Sequence, residues 1–104
     1  MSITVVATIT PLTEHKDAVR EALLTAIPKV HDEDGCELYS LHENADGFVM
    51  IEQWASREAL AVHSKAAALR ELGPQLAGRT TGPANIVVLD PVPAGHPTKG
   101  RLTA

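Results

Sequence analysis

Aromatic residues are scarce in this chain: Tyr39, Phe48 and Trp54 are the only three in 104 residues. All three fall between positions 39 and 54, and that clustering is the first hint of function. Cysteine is scarcer still. A lone Cys36 excludes an internal disulfide and a multi-cysteine zinc site. No apolar run approaches the roughly 18–20 residues that a membrane span requires, so no membrane partner is expected. Nine basic residues against thirteen acidic ones give a net charge of −4. The bases are scattered and form no block able to track phosphates, which argues against nucleic acid as a partner. The five histidines show neither an H-x-x-x-H pair nor a Cys/His cluster, so no metal is expected. Glycine-rich nucleotide loops and a G-x-S-x-G elbow are also missing, and no cofactor is expected. The opening Met-Ser-Ile-Thr-Val-Val has no charged region or cleavage pattern of a signal peptide, and the chain reads as cytoplasmic.

What is present is enough for one packed domain. Leu, Ile, Val and Phe supply 26 of the 104 residues, too many for a disordered chain. Residues 3–10 have the β-branched composition of a strand, ended by Pro11. Thr13 can cap a following helix, in which Val19, Ala22, Leu23, Ala26, Ile27 and Val30 form one apolar stripe. Pro28 lacks a backbone donor and should break or end that helix near itself. His31 to Gly35 reads as a loop. Strands are expected over about 36–43 and 47–54, joined by Asn44-Ala45-Asp46-Gly47. Ser56 is a fitting N-cap for a helix from 57 to Leu72, bent near Ser64 and stopped by Gly73-Pro74. A last strand covers 84–89. Residues 1–92 form the expected domain, and the Pro- and Gly-rich 93–104 form a tail.

The order β-α-β-β-α-β is that of a ferredoxin-like α+β fold. Its two helices cover only one face of a four-stranded antiparallel sheet, and an open face should alternate with polar residues. Val5-Val6, Val49-Met50-Ile51 and Ile86-Val87-Val88-Leu89 are apolar on both faces instead. A second copy of the same sheet is the simplest cover, so a homodimer is expected.

Within this frame each candidate residue has two readings. His63 lies on the apolar side of the second helix, as a general base or as a core-edge histidine with one hydrogen bond. Trp54, at a strand end, can wall an aromatic ligand or simply fill the core. Tyr39 can donate to a carbonyl or phenolate, or point its hydroxyl at the barrel rim. Glu52 sits between Met50 and Trp54 on one strand face, alongside Phe48, where burial would raise its pKa and suit acid–base work. It could equally pair with an arginine across a dimer. Asp32, Glu33 and Asp34 read as a solvated loop. Cys36 has nothing basic beside it to lower its pKa and reads as a small core residue.

The run Asp34-Gly35-Cys36-Glu37-Leu38-Tyr39, then Phe48, Glu52-Gln53-Trp54, and Ser56-Arg57-Glu58-Ala59-Leu60 with His63, resembles the antibiotic biosynthesis monooxygenase domain. That family's pattern runs G-C-x-x-Y, F, E-x-W and S-x-E-A-L-x-x-H in the same order. The resemblance implies a dimeric α+β barrel, in agreement with the open-sheet argument. It also implies a class of small oxygenases that oxidise quinols or anthrones with O2 and no cofactor. On that footing His63 and Tyr39 are the expected catalytic residues, as base and oxyanion donor. Trp54, Phe48 and Glu52 are the expected substrate-binding residues. The chain departs from the pattern at Ala68, where many members carry a second histidine. It also lacks the first-strand asparagine and late-helix histidine of haem-degrading relatives, so haem degradation is not expected.

The expected function is therefore cofactor-independent oxygenation of a small aromatic substrate of the quinol, anthrone or polycyclic phenol class. An isomerase using His63 and Glu52 to shuttle protons, and a non-catalytic ligand-binding dimer, are the alternatives on the same barrel.

Overall fold

The computed structural model describes residues 1–102. Its elements are β1 (Ile3–Ile9), α1 (Lys16–His31), β2 (Cys36–Asn44), β3 (Gly47–Trp54), α2 (Arg57–His63), α3 (Ala67–Leu76) and β4 (Asn85–Leu89). The strands form one antiparallel sheet in the order β2-β3-β1-β4. This is the ferredoxin-like arrangement anticipated from the element order.

Alternation along the strands decides which face is covered. Ile3, Val5, Ala7 and Ile9 of β1 stand opposite Trp54, Glu52, Met50 and Phe48 of β3, and all eight are buried under the helices. Tyr39 of β2 continues that row beside Glu52. The stripe of α1 packs onto it through Val19, Ala22, Leu23, Ala26 and Val30. The other sheet face presents Val6, Val49, Ile51, Val87 and Leu89, and Val87 and Leu89 are 42% and 45% exposed. Thr4, Thr8, Ser40, His42, Gln53 and Asn85 share that face, so the apolar outer positions that the sequence indicates are interspersed with polar ones.

The β2–β3 turn follows its chemistry. Asn44 Oδ1 accepts from the N–H groups of Asp46 and Gly47 at 2.9 and 3.1 Å. Ser56 caps α2 as expected, its Oγ accepting from the N–H of Ala59 at 3.0 Å.

Three helix boundaries differ from the sequence expectation. Thr13 does not cap α1. It opens a short 3-10 turn, Thr13–His15, and so takes a helical conformation itself, while His15 precedes α1 without a side-chain cap. Pro28 does not end α1, which runs on to His31. Pro28 and Leu24, whose carbonyl it leaves without a donor, both face solvent, and water can satisfy that carbonyl. Fully buried Val30 then holds the last turn in place. Gly73-Pro74 likewise does not stop the third helix. The expected helix 57–72 is instead two helices, interrupted at 64–66, and α3 continues through Pro74 to Leu76. Pro74 is exposed, and the N–H of Ala77 bonds the Gly73 carbonyl at 3.0 Å to close the helix.

Beyond Leu89, the described residues 90–102 contain turns but no helix or strand, and positions 103–104 of the expected tail lie outside the described residues. Among the described residues no helix is long and apolar enough to cross a membrane.

Candidate active site

The break after α2 leaves His63 at that helix's last residue, turned under the sheet and almost fully buried. Its ring is held on three sides. Glu33 Oε1 lies 2.8 Å from Nδ1. The indole of Trp54 stacks on the ring with centroids 4.3 Å apart and planes 29° apart. The ring of Tyr39 meets it edge-on at 5.6 Å. On the remaining side Glu52 Oε1 lies 3.9 Å from Nε2, too far for a direct hydrogen bond. That same Glu52 oxygen accepts the Trp54 indole N–H at 2.9 Å.

A cavity of about 170 Å³ opens between the sheet and the α2–α3 helices. Its walls are aliphatic, from Val5, Ala7, Ile9, Met50, Leu69, Leu72 and their neighbours. Its polar side chains are Tyr39, Glu52, His63 and Ser64. Ile86 also lines it and is 61% exposed, so the cavity reaches solvent at β4.

Three of the five expected site residues, Tyr39, Glu52 and His63, converge on this cavity. Trp54 and Phe48 do not line it. Trp54 is completely buried behind His63 and Glu52, so its flat face supports the histidine. Phe48 is buried further along the sheet, with Val19, Leu23 and Leu72, and Arg20 lies over its ring at 5.6 Å. Ala68, at the family's second histidine position, faces α1.

Glu33, expected in a solvated loop, is instead largely buried against His63. Its backbone is fixed at both ends of the α1–β2 turn: its N–H bonds Val30 O at 3.0 Å, and its carbonyl accepts from Cys36 N at 3.2 Å. Gly35 makes the tight turn possible. It has φ +82°, and a Cβ added there would lie 2.6 Å from the Ala59 Cβ of α2. Its carbonyl accepts from Ala55 N at 2.8 Å, which seals the loop against the start of α2. A residue pattern inside one loop gives no sign of such a cross-fold contact. Only the Gly35-Cys36 step marks the close approach.

The electrostatics follow from burial. Desolvation pushes the Glu52 carboxyl above the ordinary carboxylate range, with the Glu33 charge adding to this. The Trp54 hydrogen bond and His63 oppose it. Burial, together with Glu52 and Glu33, pushes the Tyr39 phenol well above its usual range, so it stays a neutral O–H donor. The Cys36 thiol is raised by burial first and then by the same two carboxylates, which leaves it a poor nucleophile. Among the described residues no group of three or more His, Cys, Asp or Glu side chains is placed to hold a metal ion. Glu33 and Glu52 approach opposite nitrogens of one ring and do not converge.

The family profile described as antibiotic biosynthesis monooxygenase matches residues 2–73. A Mycobacterium tuberculosis relative named "Putative monooxygenase Rv0793" is 33% identical over 92 residues, covering 86% of this chain and 91% of its own. The solved structure of Rv0793 superposes with a TM-score of 0.83 at 31% identity, over 92% of this chain and all of that one. PA3566 from Pseudomonas aeruginosa is similar at 27% identity and a TM-score of 0.77, over 85% of this chain and 91% of its own.

Proposed function

Because the chain belongs to the antibiotic biosynthesis monooxygenase family, we propose that it oxygenates a small, uncharged, flat phenol or quinol with O2 and no cofactor. The observation that carries this reading is the apolar cavity on which His63, Tyr39 and Glu52 converge. O2 is a triplet and reacts slowly with closed-shell molecules. A phenol becomes an effective one-electron donor once it is deprotonated. The protein's task is then to bind the ring, remove a proton and stabilise the anion.

His63 takes the substrate proton, and the Tyr39 hydroxyl donates to the resulting oxyanion. The anion passes one electron to O2, the radical pair recombines as a carbon-bound peroxide anion, and His63 returns its proton to give the hydroperoxide. Loss of water from that hydroperoxide gives the ketone or quinone. One oxygen atom enters the product, the other leaves as water, and all four electrons come from the substrate.

Size and charge narrow the substrate. A dry cavity of about 150 Å³ accommodates benzene, so about 170 Å³ suits a single ring with small substituents. Larger polycyclic phenols would have to extend through the opening at Ile86. Among the described residues no lysine or arginine lines the cavity, and two carboxylates flank His63, which disfavours anionic substrates. The same reading takes the protein as a homodimer in which a second copy covers the apolar outer face of the sheet.

The test is oxygen uptake by metal-free, flavin-free protein across substituted hydroquinones, naphthohydroquinone and anthrone. Labelled ¹⁸O2 should place one atom in product and one in water, with single-ring quinols favoured. His63→Ala should lower turnover by on the order of 10²–10⁴-fold. No uptake across the panel would reject the reading in favour of a non-oxidative isomerase or a binding protein.

A further inference from the structure

We infer that Glu33 is a positioning residue: its carboxylate holds His63 in the tautomer protonated at Nδ1, so that the Nε2 lone pair is presented to the cavity. This rests on the reading of His63 as the base. A neutral imidazole has one N–H and one acceptor nitrogen, and a partner on one nitrogen decides which is which. Ionised carboxylates only accept, so Glu33 Oε1 at 2.8 Å from Nδ1 places the proton there.

Glu33 does not line the cavity, whereas Glu52, the neighbour of Nε2, does. The two ring nitrogens therefore have different surroundings: one is closed off by a carboxylate, and the other faces the ligand space. When Nε2 accepts the substrate proton, both nitrogens carry hydrogen and the ring becomes cationic. Glu33 then faces a full positive charge across a short, water-poor contact, and no proton has to leave Nδ1.

The arrangement is not explained by Glu33's own needs. Its side chain is largely buried, and its second oxygen, Oε2, has no hydrogen-bond partner among the described residues. A half-satisfied buried carboxylate is unfavourable, so its place beside His63 calls for a reason outside its own hydrogen bonding. The loop is built to hold it there: the Glu33 backbone is tied to Val30 and Cys36, and Gly35 lets the turn press onto Ala59. The side chain thus reaches His63 from thirty residues away in sequence.

The test is ¹⁵N NMR of the histidine ring nitrogens in the full chain, at a pH where the His63 ring is neutral. Wild-type His63 should show a protonated Nδ1 and an unprotonated Nε2. Glu33→Ala should abolish that bias. It should also lower kcat on the best quinol about 10–100-fold, with KM changed far less. Should the alanine variant fail to fold, Glu33→Leu fills the same space without an acceptor and carries the comparison. A wild-type ring protonated on Nε2 would overturn the inference, as would a folded variant whose tautomer matches wild type. The spectrum needs no turnover. A correct tautomer without any oxygen uptake would refute the proposed reaction and leave Glu33's placement of the proton standing.

Discussion

The indole of Trp54 lies against the imidazole of His63, with ring centroids 4.3 Å apart, and at the same time donates its N–H to Glu52 at 2.9 Å. One fully buried side chain thereby packs flat against one cavity-lining group and favours the ionised form of another against its desolvation. Substitutions that separate these two roles are informative.

Trp54→Phe keeps a ring beneath His63 but removes the donor to Glu52. That hydrogen bond favours the ionised carboxyl, so its loss should raise the Glu52 pKa further. It should also cost roughly 1–3 kcal/mol of stability at neutral pH. Carboxyl-detected NMR titration against wild type checks this, and an unmoved Glu52 would refute the tuning role. Trp54→Ala, by contrast, should cost about 3–5 kcal/mol, because it also opens a void in the core.

Glu52 predicts a pH dependence of stability whose sign is fixed. Its folded-state pKa lies above the unfolded value of about 4.3, so the native state binds this proton more tightly. Its contribution therefore becomes less favourable as pH rises from the unfolded value through the folded one, and stays at that lower level above it. Glu52→Gln removes the titration and still offers an acceptor to Trp54. Thermal melts from pH 4 to pH 8 should show the variant gaining on wild type as pH rises. A constant difference across that range would contradict the assignment.

Gly35→Ala should destabilise the protein by about 1–3 kcal/mol, from a left-handed φ and a clash with Ala59. Combining it with Ala59→Gly should recover the clash but not the conformational cost. Chemical denaturation of the single and double variants measures both parts. Full recovery in the double variant would show that the φ of +82° carries no penalty.

The outer sheet face predicts the oligomer. Light scattering at micromolar protein should return twice the 11.1 kDa of one chain. Ile51→Lys, at the centre of that face, should give a folded monomer. A monodisperse wild-type monomer would leave Val49, Ile51, Val87 and Leu89 without the proposed cover.

Local chemistry was legible where it acts over a few residues. The Asn44 turn and the Ser56 cap form as read, because each is a side chain bonding backbone groups two or three residues away. The prolines misled. Pro28 and Pro74 carry the same local penalty in any helix, but here each faces solvent while buried Val30 and part-buried Leu76 hold the turns beyond them. Packing of those turns outweighed a missing hydrogen bond.

The sequence by itself determined the order of the strands and helices and which residues share a strand face, since strand alternation and helical periodicity are properties of near neighbours. Its family resemblance also put forward Tyr39, Phe48, Glu52, Trp54 and His63, of which Tyr39, Glu52 and His63 line the cavity. Only the tertiary structure decided that these three meet at one cavity, that Trp54 stands behind His63, and that Glu33 belongs with them. Those relations join the α1–β2 loop, β2, β3 and α2 across separations of up to thirty residues. No local pattern encodes such a distance, because it is fixed by how the helices settle on the sheet and by a turn that only glycine at position 35 lets close.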